Sequence, residues 1–137
     1  IADLFRGAHV NSSEDRPALH TLLRASSGNG QEQRFREVTA ARERMRGIAQ
    51  KLFRGEHTGF NGAAITDVVN IGIGGSDLGP RLVTQALKPF QGHVRCHYVA
   101  NVDPADLLET VSGLQAATTT FIICSKSFRT EETLANG

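Results

Sequence analysis

Several things are scarce in this sequence, and each scarcity removes a class of explanation. There are two cysteines in 137 residues, Cys96 and Cys124. Each sits in an apolar, strand-like run with no ligand-type spacing, so the expectation is two buried thiols in a reducing compartment, the cytoplasm, rather than a disulfide framework. Net charge is nearly absent, at a formal +1, which gives no global signal for nucleic acid or an anionic membrane. No apolar run approaches the length of a membrane span. The opening "IADLFRGAHV" lacks the charged start and apolar centre of a signal peptide. The five histidines, His9, His20, His57, His93 and His97, show no metal-ligand spacing and read as surface or packing residues. No low-complexity segment is present.

The remainder suits one domain with a proper core. Apolar residues make up 39% and charged residues 21%, the balance of a globular protein rather than a disordered one. Residues 11–55 read as helical. "NSSEDRPALHTLLR" opens with cap-type and acidic residues, has Pro17 near its start and carries an apolar stripe of Leu19, Leu22 and Leu23. "SSGNG" at 26–30 breaks it. From Gln31 to Arg54, Phe35, Val38, Met45, Ile48 and Leu52 recur at the spacings of one helix face. Arg34, Arg36, Arg42, Arg44 and Arg46 read as a solvated or partner-facing side, since nucleic-acid binding would want aromatic interleaving or strong net charge. A glycine-rich connector occupies 54–67. The division expected is a helical lead-in over 1–66 and the beginning of an α/β domain over 67–137.

In that second part short apolar runs alternate with helical ones. Strands are expected over Val68–Ile73, Val94–Val99 and Thr119–Cys124. Helices are expected over Gly79–Leu87 and Pro104–Leu114, with a third beginning near Thr130. The repeat length is that of βαβ units. Strands rich in Val and Ile on both faces imply a parallel sheet flanked by helices, a three-layer α/β fold of flavodoxin-like or Rossmann-like kind. In such folds ligands bind beyond the carboxyl ends of the strands, where strand order reverses. If the order is 2-1-3, the loops after the first and third strands face one crevice, with Gly74, Gly75 and Ser76 on one side and Ser125–Thr130 on the other.

The chemistry of those loops narrows the ligand. In "VVNIGIGGSDLGP" the dinucleotide fingerprint fails at its third glycine, where Asp77 stands, and no G-K-[ST] comes after it for a Walker-type loop. The plainer account of Gly72, Gly74 and Gly75 is a tight turn with close strand–helix packing. The third loop, "SKSFRTEET", brings Ser125, Ser127 and Thr130 within six residues. Lys126 adds a positive charge, and a helix starts directly after. These are the parts of a phosphate site, better suited to a phosphomonoester than to a dinucleotide. Helix capping accounts for Thr130, Glu131 and Glu132, but not for Ser125 and Ser127 together. Glu132 is the carboxylate nearest the crevice in sequence and reads as helix-start electrostatics, so no catalytic constellation is assembled from these residues.

"NIGIGGSDLGP" at 70–80 resembles the signature of the glucose-6-phosphate isomerase family. So do "ALKPF" at 86–90, the upstream "VNSSEDRPALHTLLR" and the loop "FIICSKSFRTEET", so that the resemblance covers roughly residues 10–137. It implies two sugar-isomerase (SIS) domains, each a five-stranded parallel sheet between helices, in a homodimer. It implies reversible conversion of glucose 6-phosphate to fructose 6-phosphate, in glycolysis and gluconeogenesis, with no metal or organic cofactor. In that chemistry the ring opens and a glutamate moves a proton between C1 and C2 through an enediol. By the same resemblance Ser125, Lys126, Ser127 and Thr130 match phosphate-binding positions, and Gly75 and Ser76 match positions close to the sugar. The family's base glutamate, ring-opening histidine and lysine, and enediol arginine fall further along than this chain reaches, and a histidine comes from the partner subunit. These 137 residues alone are therefore expected to be inactive.

Three positions depart from the family pattern. Ser127 stands where threonine is usual, Arg129 where a small hydroxyl residue is usual, and Glu131 where glutamine is common. Arg129 either adds attraction for phosphate or points outward beside Glu131. The start at Ile1 without methionine and the stop at "ETLANG" suggest a piece of a longer protein. A sheet cut at three strands would leave an unpaired edge and an exposed apolar face, dependent on further chain or a partner. The competing expectation is a non-catalytic sugar-phosphate-binding SIS domain, as in regulators of this fold. The chain beyond Gly137 distinguishes the two, since only the enzyme needs a glutamate, histidine and lysine constellation there.

Overall fold

A computed structural model describes all of residues 1–137, which form two compact units, Ile1–Ile48 and Ala49–Gly137. The first unit opens with helix α1, Ala2–Arg6, which ends where Gly7 turns left-handed at φ 72°. Residues 11–24, expected as a capped helix, do not form one. The polar residues at their head bond one another instead. Asn11 and Arg16 exchange backbone hydrogen bonds of 3.0 and 3.2 Å, Asn11 Nδ2 donates to Glu14, and Ser13 Oγ donates to Asn11 Oδ1. Such short side chains offer the backbone an alternative to the helix ladder, and Pro17 biases Arg16 toward extended backbone. Only Leu22–Arg24 coils, as a single 3-10 turn that buries Leu22.

The long helix α2, Glu32–Phe53, forms where the apolar spacing placed it. The five arginines Arg34, Arg36, Arg42, Arg44 and Arg46 are all exposed, and Arg46 pairs with Glu43 one turn away. Met45 and Ile48 on the apolar stripe are also exposed.

The second unit is the α/β part. Its order is β1 (Asp67–Ile71), α3 (Gly75–Ala86), β2 (Arg95–Val99), α4 (Pro104–Val111), β3 (Thr119–Ile123) and α5 (Glu131–Asn136). The three strands are parallel in the order β2-β1-β3, which is the 2-1-3 arrangement on which the crevice depended. All five residues of the central strand β1 are buried. Val69 and Ile71 face one side, where they join Val99 and are packed by Leu107 and Leu114. Helix α3 begins at Gly75, four residues before the expected Gly79, because Asp77 and Leu78 N–H already reach the Gly74 carbonyl. Asp103 caps α4 by accepting from Ala105 N–H at 2.9 Å, with Pro104 first in the helix.

The edges are open. Phe121, Ile122 and Ile123 of the edge strand β3 are 40–50% exposed, so apolar surface is exposed there, as expected of a three-stranded sheet. The thiols depart from expectation. Both are free, but Cys96 is exposed and Cys124 only half-buried. Cys96 lies near the start of β2, an edge strand whose first two residues are exposed.

The far end of the sheet from the loops is tied by charge. The Asp67 carboxylate, 1% exposed, accepts from Arg95 Nε at 2.8 Å and from a terminal Arg95 nitrogen at 2.7 Å. It also meets His97 Nε2 at 2.7 Å and the Thr66 hydroxyl at 2.8 Å. The Arg95 guanidinium, against the opposing cost of burial and with help from His97 and Thr66, holds the Asp67 carboxyl far below the usual carboxylate range. With a folded-state pKa below the unfolded one, its contribution to stability is complete above the unfolded value of about 3.9 and is lost as pH falls through and below it. Asp67→Asn in the full-length protein is expected to cost about 1–3 kcal/mol at pH 7, toward the lower end because Arg95 stays in solvent. The difference from wild type should shrink as pH falls below about 4. Urea unfolding across that pH range measures it; a gap that widens toward acid contradicts the assignment.

Candidate functional site

The end of β1 is fastened on both sides before the chain turns. Gly72 N–H donates to the Val99 carbonyl at 3.1 Å, and Cys124 N–H donates to the Ile71 carbonyl at 2.8 Å. The loops that leave β1 and β3 therefore start side by side. Gly72 is needed there for space: a Cβ on it would lie 2.9 Å from the Cys124 carbonyl oxygen, 2.9 Å from Ser76 Cβ and 3.0 Å from the Ser76 carbonyl oxygen. Gly74 is needed for conformation, at φ 61° and ψ −122°. After that turn Gly75 is exposed and Ser76 half-buried at the first turn of α3.

Two residues near this turn escaped the sequence reading. Asp77, 5% exposed, accepts a two-pronged contact from Arg81, with 2.8 Å to a terminal nitrogen and 3.0 Å to Nε. The Arg81 guanidinium in turn lies 4.9 Å from the centre of the Tyr98 ring. The i,i+4 spacing of Asp77 and Arg81 was the available signal. The second is Asn70, whose side-chain amide donates to the Ser76 carbonyl at 2.9 Å.

The loop after β3 is shaped by its own serine. The Ser125 hydroxyl accepts from Phe128 N–H at 3.0 Å, and Phe128 takes a left-handed φ of 50°. Lys126, Ser127 and Arg129 are exposed, while Ser125 and Thr130 are half-buried. Thr130 stands at the start of α5 and its side chain makes no capping hydrogen bond. Helix capping thus leaves its hydroxyl free, while Ser125 is partly committed to the turn. The middle loop is tied down instead: Asp106 Oδ2 accepts from Ala100 and Asn101 N–H at 3.0 and 3.2 Å.

Two concavities lie elsewhere. One, of about 560 Å³, is lined by Ile71, Leu107, Leu114, Phe121 and Ile123 under β3; the other, of about 540 Å³, runs between α3 and β2 past Phe90, Cys96 and Tyr98. Neither is lined by Gly75, Ser76 or residues 125–130. The candidate site is an open rim formed by the Ser125, Ser127 and Thr130 hydroxyls and Lys126, with Gly75 and Ser76 at the end of the neighbouring loop.

These features define a parallel α/β protein whose polar loops sit side by side at the reversal of strand order. A sequence model of the family described as phosphoglucose isomerase matches residues 1–137. The chain belongs to that family. It is 51% identical over 137 residues to the glucose-6-phosphate isomerase of Saccharophagus degradans, covering 99% of this chain and 25% of that protein. The fold resembles a crystal structure of a glucose-6-phosphate isomerase from Chlamydia trachomatis, with a TM-score of 0.79 and 26% identity over 98% of this chain and 26% of that one. The chain thus spans about a quarter of the length of the relatives it matches.

Gly72→Ala tests the closeness of the two loops. Two of the three clashes are with backbone oxygens, so relief requires the loops to part. The expected cost is about 1–3 kcal/mol of unfolding free energy measured by urea titration. An alanine variant with unchanged stability would show that the loops are not packed against each other.

Proposed function

We propose that these residues are the phosphate-binding half of the active site of an aldose–ketose isomerase that interconverts glucose 6-phosphate and fructose 6-phosphate, in glycolysis and gluconeogenesis. The observation that carries the reading is the β2-β1-β3 order, which brings the carboxyl ends of β1 and β3 together. The hydroxyls of Ser125, Ser127 and Thr130, with Lys126, receive the phosphate. Gly75 and Ser76 sit toward the sugar. The helical part over 1–66 is the lead-in, and 67–137 is the first part of the first sugar-isomerase domain. The 51% identity to a glucose-6-phosphate isomerase supports the substrate.

The arrangement suits the chemistry. A phosphate dianion is held well by neutral, oriented O–H and N–H donors with modest charge, because they need no counter-ion to be stripped away as the substrate enters. Holding the phosphate fixes the distance from it to C1 and C2, where the proton moves, and so lowers the entropic barrier to that step. The proton-transferring glutamate and the ring-opening groups are supplied by other parts of the full-length enzyme, which acts as a homodimer. The two free thiols support a reducing cytoplasmic setting, and no helix of the chain is long and apolar enough to cross a membrane.

Ser125→Ala and Thr130→Val in the full-length enzyme are each expected to weaken binding by about 1.5–3 kcal/mol, the worth of a hydrogen bond to a charged group. That is a rise in KM of roughly 10- to 150-fold, with a smaller change in kcat. Steady-state kinetics with fructose 6-phosphate measures it. Ser125→Ala also releases Phe128 N–H, so its effect should be the larger of the two. An unchanged KM in both variants would remove the phosphate from this loop.

A further inference from the structure

Helix α3 carries a proline at its sixth position, Pro80. In a regular helix the N–H of residue 80 would donate to the carbonyl of residue 76. Proline has no N–H, and its ring crowds that same carbonyl. The Ser76 carbonyl is therefore left without its helical donor at the turn that presents Gly75 and Ser76. Asn70 stands opposite, fourth of the five residues of the central strand β1, 9% exposed and flanked by Val68, Val69 and Ile71. A buried amide in the middle of a parallel sheet is costly unless bonded. Its Nδ2 donates to the Ser76 carbonyl at 2.9 Å. Only the amide nitrogen can donate to a carbonyl, so the orientation of the side chain follows from the contact itself.

We infer that Asn70 is a positioning residue for the Gly75–Ser76 end of the site, acting by supplying from the strand the hydrogen bond that Pro80 removes from the helix. The pairing explains both oddities together. Pro80 is tolerated because Asn70 satisfies the freed carbonyl, and Asn70 is tolerated inside the sheet because Pro80 leaves it an acceptor. The bond crosses from β1 to α3, so it fixes the first turn of the helix to the strand rather than only to the next turn. The carbonyl of Pro80 is held as well, by Thr84 Oγ1 at 3.0 Å and Tyr98 OH at 3.1 Å, which anchors the same turn to β2. Neither Asn70 nor Pro80 touches the sugar; both act through the backbone of Ser76.

The inference rests on the isomerase reading for its kinetic consequence but not for its structural one, and the test separates them. The full-length protein is compared as wild type, Asn70→Leu, Pro80→Ala and the double variant. Each is measured by steady-state kinetics with fructose 6-phosphate and by amide hydrogen exchange over residues 73–79. Asn70→Leu should raise KM about tenfold, with kcat altered less, and speed exchange at Gly75–Asp77. Pro80→Ala alone should stay within about threefold of wild type in KM. The double variant should regain most of the loss, because the backbone N–H that Pro80→Ala introduces can serve the Ser76 carbonyl. Asn70→Leu without change in KM or exchange overturns the inference, as does a double variant no better than Asn70→Leu. If Asn70→Leu does not accumulate as folded protein, addition of Pro80→Ala must restore it; failure to restore it overturns the inference too. A wild type with no isomerase rate refutes the proposed function alone, and the exchange measurements then still decide the role of Asn70.

Discussion

The central strand β1 is the constraint on which everything else hangs. It is five residues long, it is buried along its whole length, and both its edges are hydrogen-bonded to parallel neighbours. At its amino end the Asp67 carboxylate gathers Arg95, His97 and Thr66, fixing β2 in register with it. At its carboxyl end, Gly72 N–H bonds to β2 and the Ile71 carbonyl bonds to the chain leaving β3. A strand fixed at both ends leaves its exit loop little freedom, and that loop carries Gly75 and Ser76. Charge holds the end remote from the site, where burying it interferes with no ligand. Glycines and neutral donors hold the end proposed to receive a phosphate.

The same economy appears across the first turn of α3. Asp77, Arg81 and Tyr98 form one chain of contacts from helix to β2, and Asn70 forms another from β1. Three loops leave the carboxyl end of the sheet, and each is stabilised differently. The first is held by close backbone packing at Gly72, the second by the Asp106 carboxylate, and the third by the Ser125 hydroxyl. The first and third are the two that adjoin.

Strand and helix alternation was legible because β1, β2 and β3 are short Val- and Ile-bearing runs separated by strong turn residues. The strand order was legible only as a condition, since no local pattern states which strand neighbours which. Residues 11–24 misled because Asn11, Ser13 and Glu14 are as able to close a local turn as to cap a helix, and the choice depends on what they can pack against. The thiol of Cys96 was misread because an apolar flank does not distinguish a central strand from an edge strand. Asp67 and Asn70 were passed over because a lone polar residue in an apolar run carries no sign of its partner: Arg95 is 28 residues away in sequence and the Ser76 carbonyl belongs to the backbone. The proposed phosphate loop stood out because three hydroxyls and a lysine cluster within six residues, a local pattern that needs no tertiary information.

The proposed function depends on where the phosphate sits. A crystal structure of the full-length protein with fructose 6-phosphate measures this directly. The expected result is phosphate oxygens within about 3.2 Å of the Ser125, Ser127 and Thr130 hydroxyls, with the sugar extending toward Gly75 and Ser76. A phosphate bound away from both loops, with residues 125–130 facing empty solvent, would contradict it.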